Sequence, residues 1–337
     1  MMMRAKLEKE LKKSNTKRKN DVLSKVSLAL KLIALNQKKL PKPKPSPLAA
    51  SSSPAERFPR PRKRAVLIGV SYKRQKYELK GTINDVKKMK RWLIRNFDFQ
   101  EDNILILAED EVEADLIPTK KNIETSMKWL MEDCRAGDSL VFYFSGHGLR
   151  HPNFDGNEVD GFDETICPVD FKEAGMIFDD QIYSTIVDPL PKDVTLHAIV
   201  DACHSGTVLD LSFTYNRERK IWENSNPSNS TRRTNGGLAI TISACEDDQV
   251  AVDTDAFSKD LTMSGALTYT LTSNVKEKQE ITYGQLLDSI YTSIQEADRQ
   301  RSLANRIFKR FFTRKLLQKP QLSASEPFDV YEKQFIL

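Results

Sequence analysis

Cysteine is scarce in this chain of 337 residues, and its few cysteines lie far apart, at positions 134, 167, 203 and 245. None forms a Cys-x-x-Cys pair, and a chain of this length buries enough apolar surface to fold without disulfides. Long apolar runs are also lacking, because none reaches the roughly 18 residues of a membrane-spanning helix. The first 13 residues are too highly charged for a secretory signal. We therefore expect reduced thiols and a cytoplasmic protein without a membrane span, with the nucleus as an additional compartment.

Acidic residues are scarce in the first 64 positions, which hold 19 Lys or Arg against four Asp or Glu. The rest of the chain has the opposite balance, with 33 basic and 43 acidic residues, so the formal net charge of +5 hides a basic segment joined to an acidic one. Residues 41–62 are rich in Pro and Ser, a composition typical of linkers. We predict a largely disordered basic arm at residues 1–64, followed by one folded domain at residues 65–337.

Within this arm, the apolar spacing of residues 21–35 is compatible with a short amphipathic helix. The basic cluster at residues 57–64 is typical of a plain basic linker, and a nuclear signal or an anion-binding patch is the weaker alternative. Nucleic-acid binding is not favoured, because aromatic residues are not interleaved with the basic ones.

From Ala65 onward, short apolar runs alternate with helical patterns. The runs predict strands at residues 66–70, 104–107, 140–144, 195–200 and 238–243. The periodic segments predict helices starting near residue 84 and at residues 120–131, 179–187 and 266–271. This alternation predicts an α/β fold with a mostly parallel sheet and helices on both faces. Residues 212–236 are polar, so we predict a surface linker there, between a first part at 65–211 and a second at 237–337.

Two of the predicted strands run directly into ionisable residues flanked by glycine. The strand at 140–144 continues as Ser145-Gly146-His147-Gly148, and the strand at 195–200 continues as Asp201-Ala202-Cys203-His204-Ser205-Gly206. The carboxyl ends of parallel strands meet at one edge of a sheet, so His147 and Cys203 are expected close together. An imidazole beside a thiol can take its proton and later give it to a leaving amine. This pair predicts Cys203 as a nucleophile and His147 as its base.

The backbone N–H groups near Gly148 and Cys203 are predicted to stabilise the developing oxyanion. A buried Cys after a strand is more often a core side chain, and a single His beside glycines is more often structural. Both residues stand at predicted strand ends, in the order His then Cys and 56 residues apart, which favours catalysis over these alternatives.

The segments around His147 and Cys203 resemble the two catalytic motifs of the metacaspases. The likeness spans about residues 64–337, because it continues through Asp160-Gly161-Phe162-Asp163-Glu164-Thr165-Ile166-Cys167-Pro168-Val169-Asp170, Ser243-Ala244-Cys245-Glu246-Asp247-Asp248-Gln249 and Gly265-Ala266-Leu267-Thr268-Tyr269. The resemblance implies a caspase-like three-layer sandwich with His147 and Cys203 as the catalytic dyad. It also implies a calcium-dependent cysteine endopeptidase.

Three residues match the first specificity pocket of metacaspases, namely Asp85, Ser145 and Asp201. Metacaspases cleave after Arg or Lys, and a carboxylate pair can bind a guanidinium through parallel hydrogen bonds. Asp85 alone is equally well explained as a helix cap, whereas Asp201 follows a buried strand and needs a partner there. The resemblance therefore implies protein substrates with Arg or Lys at the cleavage site.

Four acidic residues match the calcium site of the family, namely Asp163, Asp179, Asp180 and Asp210. Calcium prefers several hard oxygen ligands, and carboxylates from separate loops can supply them. The spacing is unlike that of an EF-hand loop, so the expectation of Ca2+ rests on the resemblance. In the family, calcium is thought to order loops near the dyad.

The chain departs from many plant relatives because no cysteine precedes Cys134, so no zinc finger or structural zinc is expected. The connection from Cys203 to the next predicted strand lacks the long insert of second-type metacaspases. We therefore expect a metacaspase of the first type without the zinc module. Self-cleavage in the linker is a secondary hypothesis, because the linker contains Arg217, Arg219, Lys220, Arg232 and Arg233.

Two alternatives stay open at this point. A catalytically silent regulator would bind partners through the basic arm, but it would not need an intact dyad, pocket and calcium set. A different thiol hydrolase on a similar sheet would act on neutral esters, for which acidic pocket residues are unsuited. We expect a monomer, and no residue of this chain by itself indicates the cell-death role associated with the family.

Overall fold

Short, almost fully buried apolar strands organise the chain. The computed structural model describes residues 62–153, 162–202, 206–225, 232–244, 253–254, 264–274, 280–305 and 320–337. The strands among them are β1 (Lys63–Gly69), β2 (Ile104–Ala108), β3 (Ser139–Ser145), β4 (Gly148–Pro152), β5 (Phe162–Ile166), β6 (Ile177–Phe178), β7 (Thr195–Asp201), β8 (Phe213–Asn216), β9 (Ile221–Asn224), β10 (Leu238–Ser243), β11 (Asp253–Thr254), β12 (Ser264–Gly265) and β13 (Gln321–Ala324). The helices are α1 (Thr82–Phe97), α2 (Lys120–Met131), α3 (Phe171–Ala174), α4 (Asp179–Ile182), α5 (Ala266–Asn274) and α6 (Tyr283–Asn305).

In the described part of the chain, eight strands form one sheet in the order β2-β1-β3-β7-β10-β13-β8-β9. The first five are parallel, and β13, β8 and β9 each run antiparallel to the preceding neighbour. The central strands are buried on both faces, which is why their sequences are apolar throughout. Because β3 and β7 are direct neighbours, their carboxyl ends lie side by side.

Helices cover both faces of this sheet. Alternate residues of β1 enter two separate cores, with Leu67 in one and Ile68 in the other. The first core receives Leu93 of α1 together with residues of α5 and α6. The second receives Ile123 of α2 and Ile182 of α4. The predicted mostly parallel α/β sandwich is therefore confirmed.

The predicted elements of the domain are present. The helix at Lys120–Met131 and the strand at Leu238–Ser243 have the predicted bounds. The helix predicted at 179–187 is divided into the short α4 and a π-helical turn at Tyr183–Val187. β4, β5 and β6 form a small separate sheet beside the main one, which sequence reasoning did not predict.

The folded domain begins slightly before the predicted boundary at residue 65. Lys63 and Arg64 are the first residues of β1, and both are anchored by the fold. Lys63 Nζ donates to the carbonyl oxygen of Leu337 (2.6 Å), and Arg64 Nη1 donates to that of Trp129 (2.9 Å). The rest of the predicted arm, residues 1–61, lies outside the described residues.

The prediction of a surface linker at 212–236 is wrong for residues 213–224. These residues form the antiparallel hairpin β8–β9, which extends one edge of the main sheet. The rings of Tyr215 and Trp222 pack 5.4 Å apart, and Trp222 Nε1 donates to the carbonyl oxygen of Phe328 (2.7 Å). This last contact joins residues 106 positions apart, so the local sequence gives no signal of it.

Candidate active site

His147 lies in the short connection between β3 and β4, directly beyond the sheet edge, where Tyr72 holds it. The backbone N–H of His147 donates to Tyr72 Oη (2.9 Å), and the two rings lie 4.6 Å apart with 30° between their planes. Tyr72 is 2% exposed, and its hydroxyl donates to the carbonyl oxygen of Cys167 (2.7 Å). Burial and the nearby Cys167 raise the pKa of Tyr72 well above its usual value, so the hydroxyl stays protonated.

The connection that carries His147 is closely packed. A Cβ atom at Gly146 would lie 2.7 Å from the Phe144 ring and 3.1 Å from Tyr72 Oη, so only glycine fits there. The Tyr77 ring stands edge-on to the imidazole, with centroids 5.9 Å apart. His147 is therefore fixed by close packing as well as by hydrogen bonds.

A backbone carbonyl sets the tautomer of His147. Its Nε2 lies 2.7 Å from the carbonyl oxygen of Tyr77. A carbonyl oxygen only accepts, so Nε2 carries the proton and Nδ1 carries the lone pair of the neutral ring. Nδ1 is therefore the atom that can take a proton from a thiol.

Cys203, the predicted nucleophile, lies outside the described residues, so only its place in the chain is fixed. β3 and β7 pair with Ser145 opposite Asp201, and His147 and Cys203 each follow by two residues. Both motifs therefore start from adjacent positions at the same edge of the sheet. Gly148, the other residue predicted to serve the oxyanion, is the buried first residue of β4.

The two predicted pocket carboxylates, Asp85 and Asp201, are both held by the segment at 265–268. Asp85 is 1% exposed and its Oδ2 accepts from the N–H of Gly265 (2.8 Å), while Asp201 Oδ2 accepts from the N–H (2.9 Å) and the hydroxyl (2.7 Å) of Thr268. A Cβ atom at Gly265 would overlap the carboxylate of Asp201. The alternative of Asp85 as a helix cap is not supported, because Gly81 occupies the N-cap of α1.

Tyr143 connects the three predicted pocket residues. The hydroxyl of Thr268 donates to Asp201, so Tyr143 is the donor in its own 2.7 Å contact with Thr268. The Ser145 side chain in turn hydrogen-bonds to Tyr143. Burial, and then the charges of Asp85 and Asp201, raise the pKa of Tyr143 well above its usual value. The structure thus brings all three predicted pocket residues to one place.

The four acids predicted to bind calcium are spread over β5, α4 and the segment after β7. Asp179 is 1% exposed, and its Oδ2 accepts from the N–H of Glu164, the residue after Asp163 (2.8 Å). Asp163 itself accepts a hydrogen bond from Asn153. Among the described residues, no three His, Cys, Asp or Glu side chains are gathered closely enough to hold a metal ion.

Arg232 instead provides a cation for two of these acids. Its Nη1 lies 2.6 Å from Asp180 Oδ1 and also forms an ion pair with Asp210 Oδ2. The guanidinium stands over the Tyr183 ring, 5.0 Å from its centroid. The donor chemistry of the four aspartates fits a hard cation such as Ca2+. The structure thus has a guanidinium where two of the proposed ligands converge.

Comparison with known proteins identifies the family. Residues 63–212 match the family described as metacaspase, peptidase C14 domain. Metacaspase-1 of Arabidopsis thaliana is 46% identical over 301 residues, which is 85% of this chain and 82% of that protein. Metacaspase-2 of the same plant is 42% identical, over 82% of this chain and 72% of that protein. The chain belongs to the metacaspase family. It is therefore a cysteine-type peptidase, a hydrolase that acts on proteins.

The fold of this metacaspase agrees with a solved structure as well. Protein GSU0716 from Geobacter sulfurreducens superposes with a TM-score of 0.53, covering 82% of this chain and 99% of that one. At 18% sequence identity this likeness shows the fold alone. The caspase-like α/β sandwich is confirmed. In the described part of this metacaspase, no helix is long and apolar enough to cross a membrane.

Sequence reasoning missed several residues that shape the site of this metacaspase. Tyr72 and Tyr77 lie in a segment whose sequence shows no helical or strand periodicity. The only indication of their role in the sequence is that they follow β1, which ends at the same sheet edge as β3. Thr268 lies in a motif that marks the family, but its contact with Asp201 joins residues 67 positions apart. His197 is a fully buried strand residue whose pKa burial lowers to about 3, so it stays neutral and belongs to the core.

Proposed function

We propose that this metacaspase is a calcium-dependent endopeptidase that cleaves after Arg or Lys. The observation that carries the proposal is the buried pair Asp85 and Asp201, at the sheet edge that also bears His147. The hydrogen bonds described above come from neutral N–H and O–H groups of Gly265 and Thr268, which orient the two carboxylates. A guanidinium or ammonium group of the substrate would complete this site better than any uncharged side chain.

The proposed reaction begins when the Cys203 thiol gives its proton to Nδ1 of His147, while Nε2–H stays bound to the carbonyl of Tyr77. The thiolate attacks the carbonyl carbon of the scissile bond, and the N–H groups of Gly148 and Cys203 donate to the oxyanion. The C–N bond breaks as the imidazolium protonates the leaving amine. Nδ1 then takes a proton from water, whose oxygen attacks the thioester. The acid leaves as the proton returns to the Cys203 sulfur.

Tyr72 serves this reaction as a positioning residue for His147. Its hydroxyl holds the backbone N–H and its ring lies against the imidazole, so Nδ1 keeps one direction while Nε2 is held by Tyr77. A base that is already oriented loses less freedom in the transition state. Tyr72 itself transfers no proton in this scheme.

Calcium is proposed to bind Asp163, Asp179, Asp180 and Asp210. When bound, it would supply the positive charge that draws carboxylates from separate segments together. The support is the chemistry of the four aspartates and the convergence of two of them on a single cation, Arg232.

Self-processing is proposed for the segment between the two parts of the domain. Proteases bind their substrates in an extended, accessible form, and the hairpin β8–β9 does not offer one. Of the five basic residues of the predicted linker, Arg217, Arg219 and Lys220 lie in the tight turn that joins the two strands of this hairpin. Arg232 and Arg233 lie beyond it, and the exposed Arg233 is the favoured site, because the Arg232 side chain is ion-paired with Asp180 and Asp210.

Hydrolysis of fluorogenic peptides tests the proposed function. The full chain and its Cys203→Ala variant are compared on peptides ending in Arg, Lys or Asp, with and without millimolar Ca2+. We expect cleavage of the Arg and Lys peptides only, dependent on calcium and absent in the variant. Cleavage of the Asp peptide would overturn the acidic pocket, and no cleavage of any peptide would favour the silent regulator.

A further inference from the structure

Glu109 directly follows strand β2, at the same edge of the sheet as His147. The strand register pairs Ala108 with Gly69, the last residue of β1, so Glu109 lies beside the chain that leaves β1. Its side chain is half-buried there. The reaction proposed above gives this carboxylate no role, although a charge that is partly removed from water needs hydrogen-bonding partners.

The partners of Glu109 are three successive backbone N–H groups. Its Oε1 accepts from the N–H of Ser71 (2.6 Å) and from that of Tyr72, and its Oε2 accepts from the N–H of Lys73 (3.1 Å). Successive N–H groups that point to one place bind anions, and hydrogen bonds to an ionised acceptor are stronger than those to a neutral one. Glu109 therefore fastens the start of residues 71–79, here named the Tyr72 loop.

The backbone of the Tyr72 loop needs such support. Tyr72 and Arg74 have φ angles of 52° and 65°, in the left-handed region that bulky side chains rarely adopt. The loop is closed where the N–H of Leu79 donates to the carbonyl oxygen of Ser71 (2.8 Å). Strained backbone of this kind persists only where its surroundings fix it. The hydrogen bonds to Glu109 lie at the left-handed turn of Tyr72.

The same loop holds His147 at two points. Tyr72 Oη accepts from the backbone N–H of His147, and the carbonyl oxygen of Tyr77 accepts from its Nε2–H. The Tyr77 end of the loop packs against Phe171, with ring centroids 5.8 Å apart. The Tyr72 end is the one that Glu109 fastens. A change at Glu109 therefore reaches His147 through Tyr72.

We propose that Glu109 is a positioning residue for the peptidase reaction, which fixes the left-handed turn at Tyr72 and through it the direction and tautomer of His147. The inference rests on the proposed function, because it assigns Glu109 to the base of that reaction. Among the described residues, the hydrogen bonds that Glu109 accepts come from the loop backbone and not from His147. Glu109 transfers no proton and touches no reacting atom.

Steady-state hydrolysis of an Arg peptide by the full chain with Ca2+ tests the positioning role. Rates are expressed per active site, counted with an irreversible thiol-directed peptide inhibitor, so that misfolded molecules do not enter kcat. Glu109→Gln keeps the length of the side chain but loses its charge and one acceptor oxygen. We expect kcat to fall about tenfold and KM to stay within about twofold, because a misplaced base slows the chemistry and leaves the pocket intact.

Two further variants control this measurement. Glu109→Asp keeps the charge on a shorter side chain and should retain more activity than Glu109→Gln. Asp110→Asn removes the neighbouring carboxylate, whose partner is the exposed Lys87 (2.7 Å), and should leave kcat unchanged. An unchanged kcat in Glu109→Gln, or an equal fall in Asp110→Asn, would overturn the inference.

A double-mutant cycle tests whether Glu109 acts through Tyr72. Tyr72→Phe already removes the hydrogen bond to His147, so adding Glu109→Gln should lower kcat by much less than it does in the unmodified chain. Losses that multiply would show that the two residues act independently, which would overturn the proposed route.

Nitrogen-15 NMR of the histidine rings reads out the tautomer without turnover. Every protein carries Cys203→Ala, and an added His147→Gln identifies the signals of His147. We expect the neutral ring to carry its proton on Nε2 in this parent and in Asp110→Asn, and to become a mixture of both tautomers in Glu109→Gln. The same tautomer in all three would overturn the inference. A mixture in Glu109→Gln, in a chain that cleaves no peptide, would overturn the proposed function and leave the positioning of His147 by Glu109 in place.

Discussion

Two pairs of aspartates in this metacaspase are held by contacts of different kinds. Asp85 and Asp201 are buried and accept hydrogen bonds from the neutral groups of Gly265 and Thr268. Asp180 and Asp210 share the guanidinium of Arg232, and the Asp180 side chain is 53% exposed. The same side-chain chemistry is thus used in two electrostatic settings.

The difference determines what each pair can bind. Neutral donors fix the direction of a carboxylate but leave its negative charge, which acts strongly in a buried site of low dielectric constant. A pair that already holds a guanidinium accepts another cation only by exchange. Under the proposed function, the first pair recognises a basic side chain of the substrate, and the second pair contributes to the calcium site.

Asp201→Asn should lower the activity more than any of the substitutions that follow. The charge is lost, while the amide oxygen can still accept the hydrogen bond from the Thr268 N–H. Removing one partner of a buried charged contact costs about 2–5 kcal/mol, so kcat/KM for an Arg peptide should fall about thirtyfold to a few thousandfold. Steady-state kinetics measure this, with Asp102→Asn on the exposed surface as the control. An unchanged kcat/KM in Asp201→Asn would refute the pocket assignment.

Gly265→Ala should damage the pocket without changing any charge. The added methyl group overlaps the Asp201 carboxylate and must displace it. Overpacking costs about 1–3 kcal/mol, so we expect the activity toward an Arg peptide to fall about tenfold. Calorimetry should show unchanged calcium binding in the same variant. Full activity of Gly265→Ala would mean that this contact does not position Asp201.

Tyr72→Phe should affect the base and leave both carboxylate pairs intact. The ring still lies against His147, but the His147 N–H and the Cys167 carbonyl lose their shared partner. An unpaired buried group costs about 1–3 kcal/mol, so kcat should fall about tenfold while KM changes little.

The controls for Tyr72 separate positioning from stability. Tyr72→Leu removes the ring as well and should lower kcat further, whereas Tyr215→Phe in the hairpin should keep wild-type kinetics. A rise in KM without a fall in kcat would assign Tyr72 to substrate binding instead. Thermal unfolding followed by circular dichroism shows whether each variant is folded.

Substitutions of the second pair should have the smallest effects in the absence of calcium. In either Asp180→Asn or Asp210→Asn, one carboxylate still neutralises Arg232. The exposed pair with Asp180 contributes about 0–1 kcal/mol, and the Asp210 side chain, 16% exposed, should contribute more. Thermal unfolding should therefore rank Asp210→Asn below Asp180→Asn in stability. The reverse order would mean that the ion pair of Arg232 with Asp180 contributes more to stability than its ion pair with Asp210.

Much of the fold could be predicted from the sequence, because the central strands are buried on both faces and read as continuous apolar runs. The ends of two of these strands, at Ser145 and Asp201, could be predicted from the same apolar runs. These two positions also locate the sheet edge that bears His147. The hairpin at Phe213–Asn224 was missed, since its stabilising partner Phe328 is remote in the chain. A local sequence pattern contains no information about a contact between segments that are remote in the chain.

The site was predictable to a similar degree. Asp85, Ser145 and Asp201 came from resemblance, and the structure places them together around Tyr143. The neutral partners of the two carboxylates and the ion pairs of Arg232 could not be predicted, because each depends on contacts between separate segments. A basic residue in a polar stretch looks exposed in the sequence, whereas Arg232 is largely buried.

The central claim is that Asp85 and Asp201 recognise a basic side chain of the substrate by its charge. The most direct test compares kcat/KM for two peptides that differ only in arginine or citrulline at the cleavage site, in the presence of Ca2+. Citrulline has nearly the same shape but no charge, so the arginine peptide should be preferred by about thirtyfold or more, and Asp201→Asn should abolish most of that preference. Equal cleavage of both peptides by the unmodified chain would contradict the account.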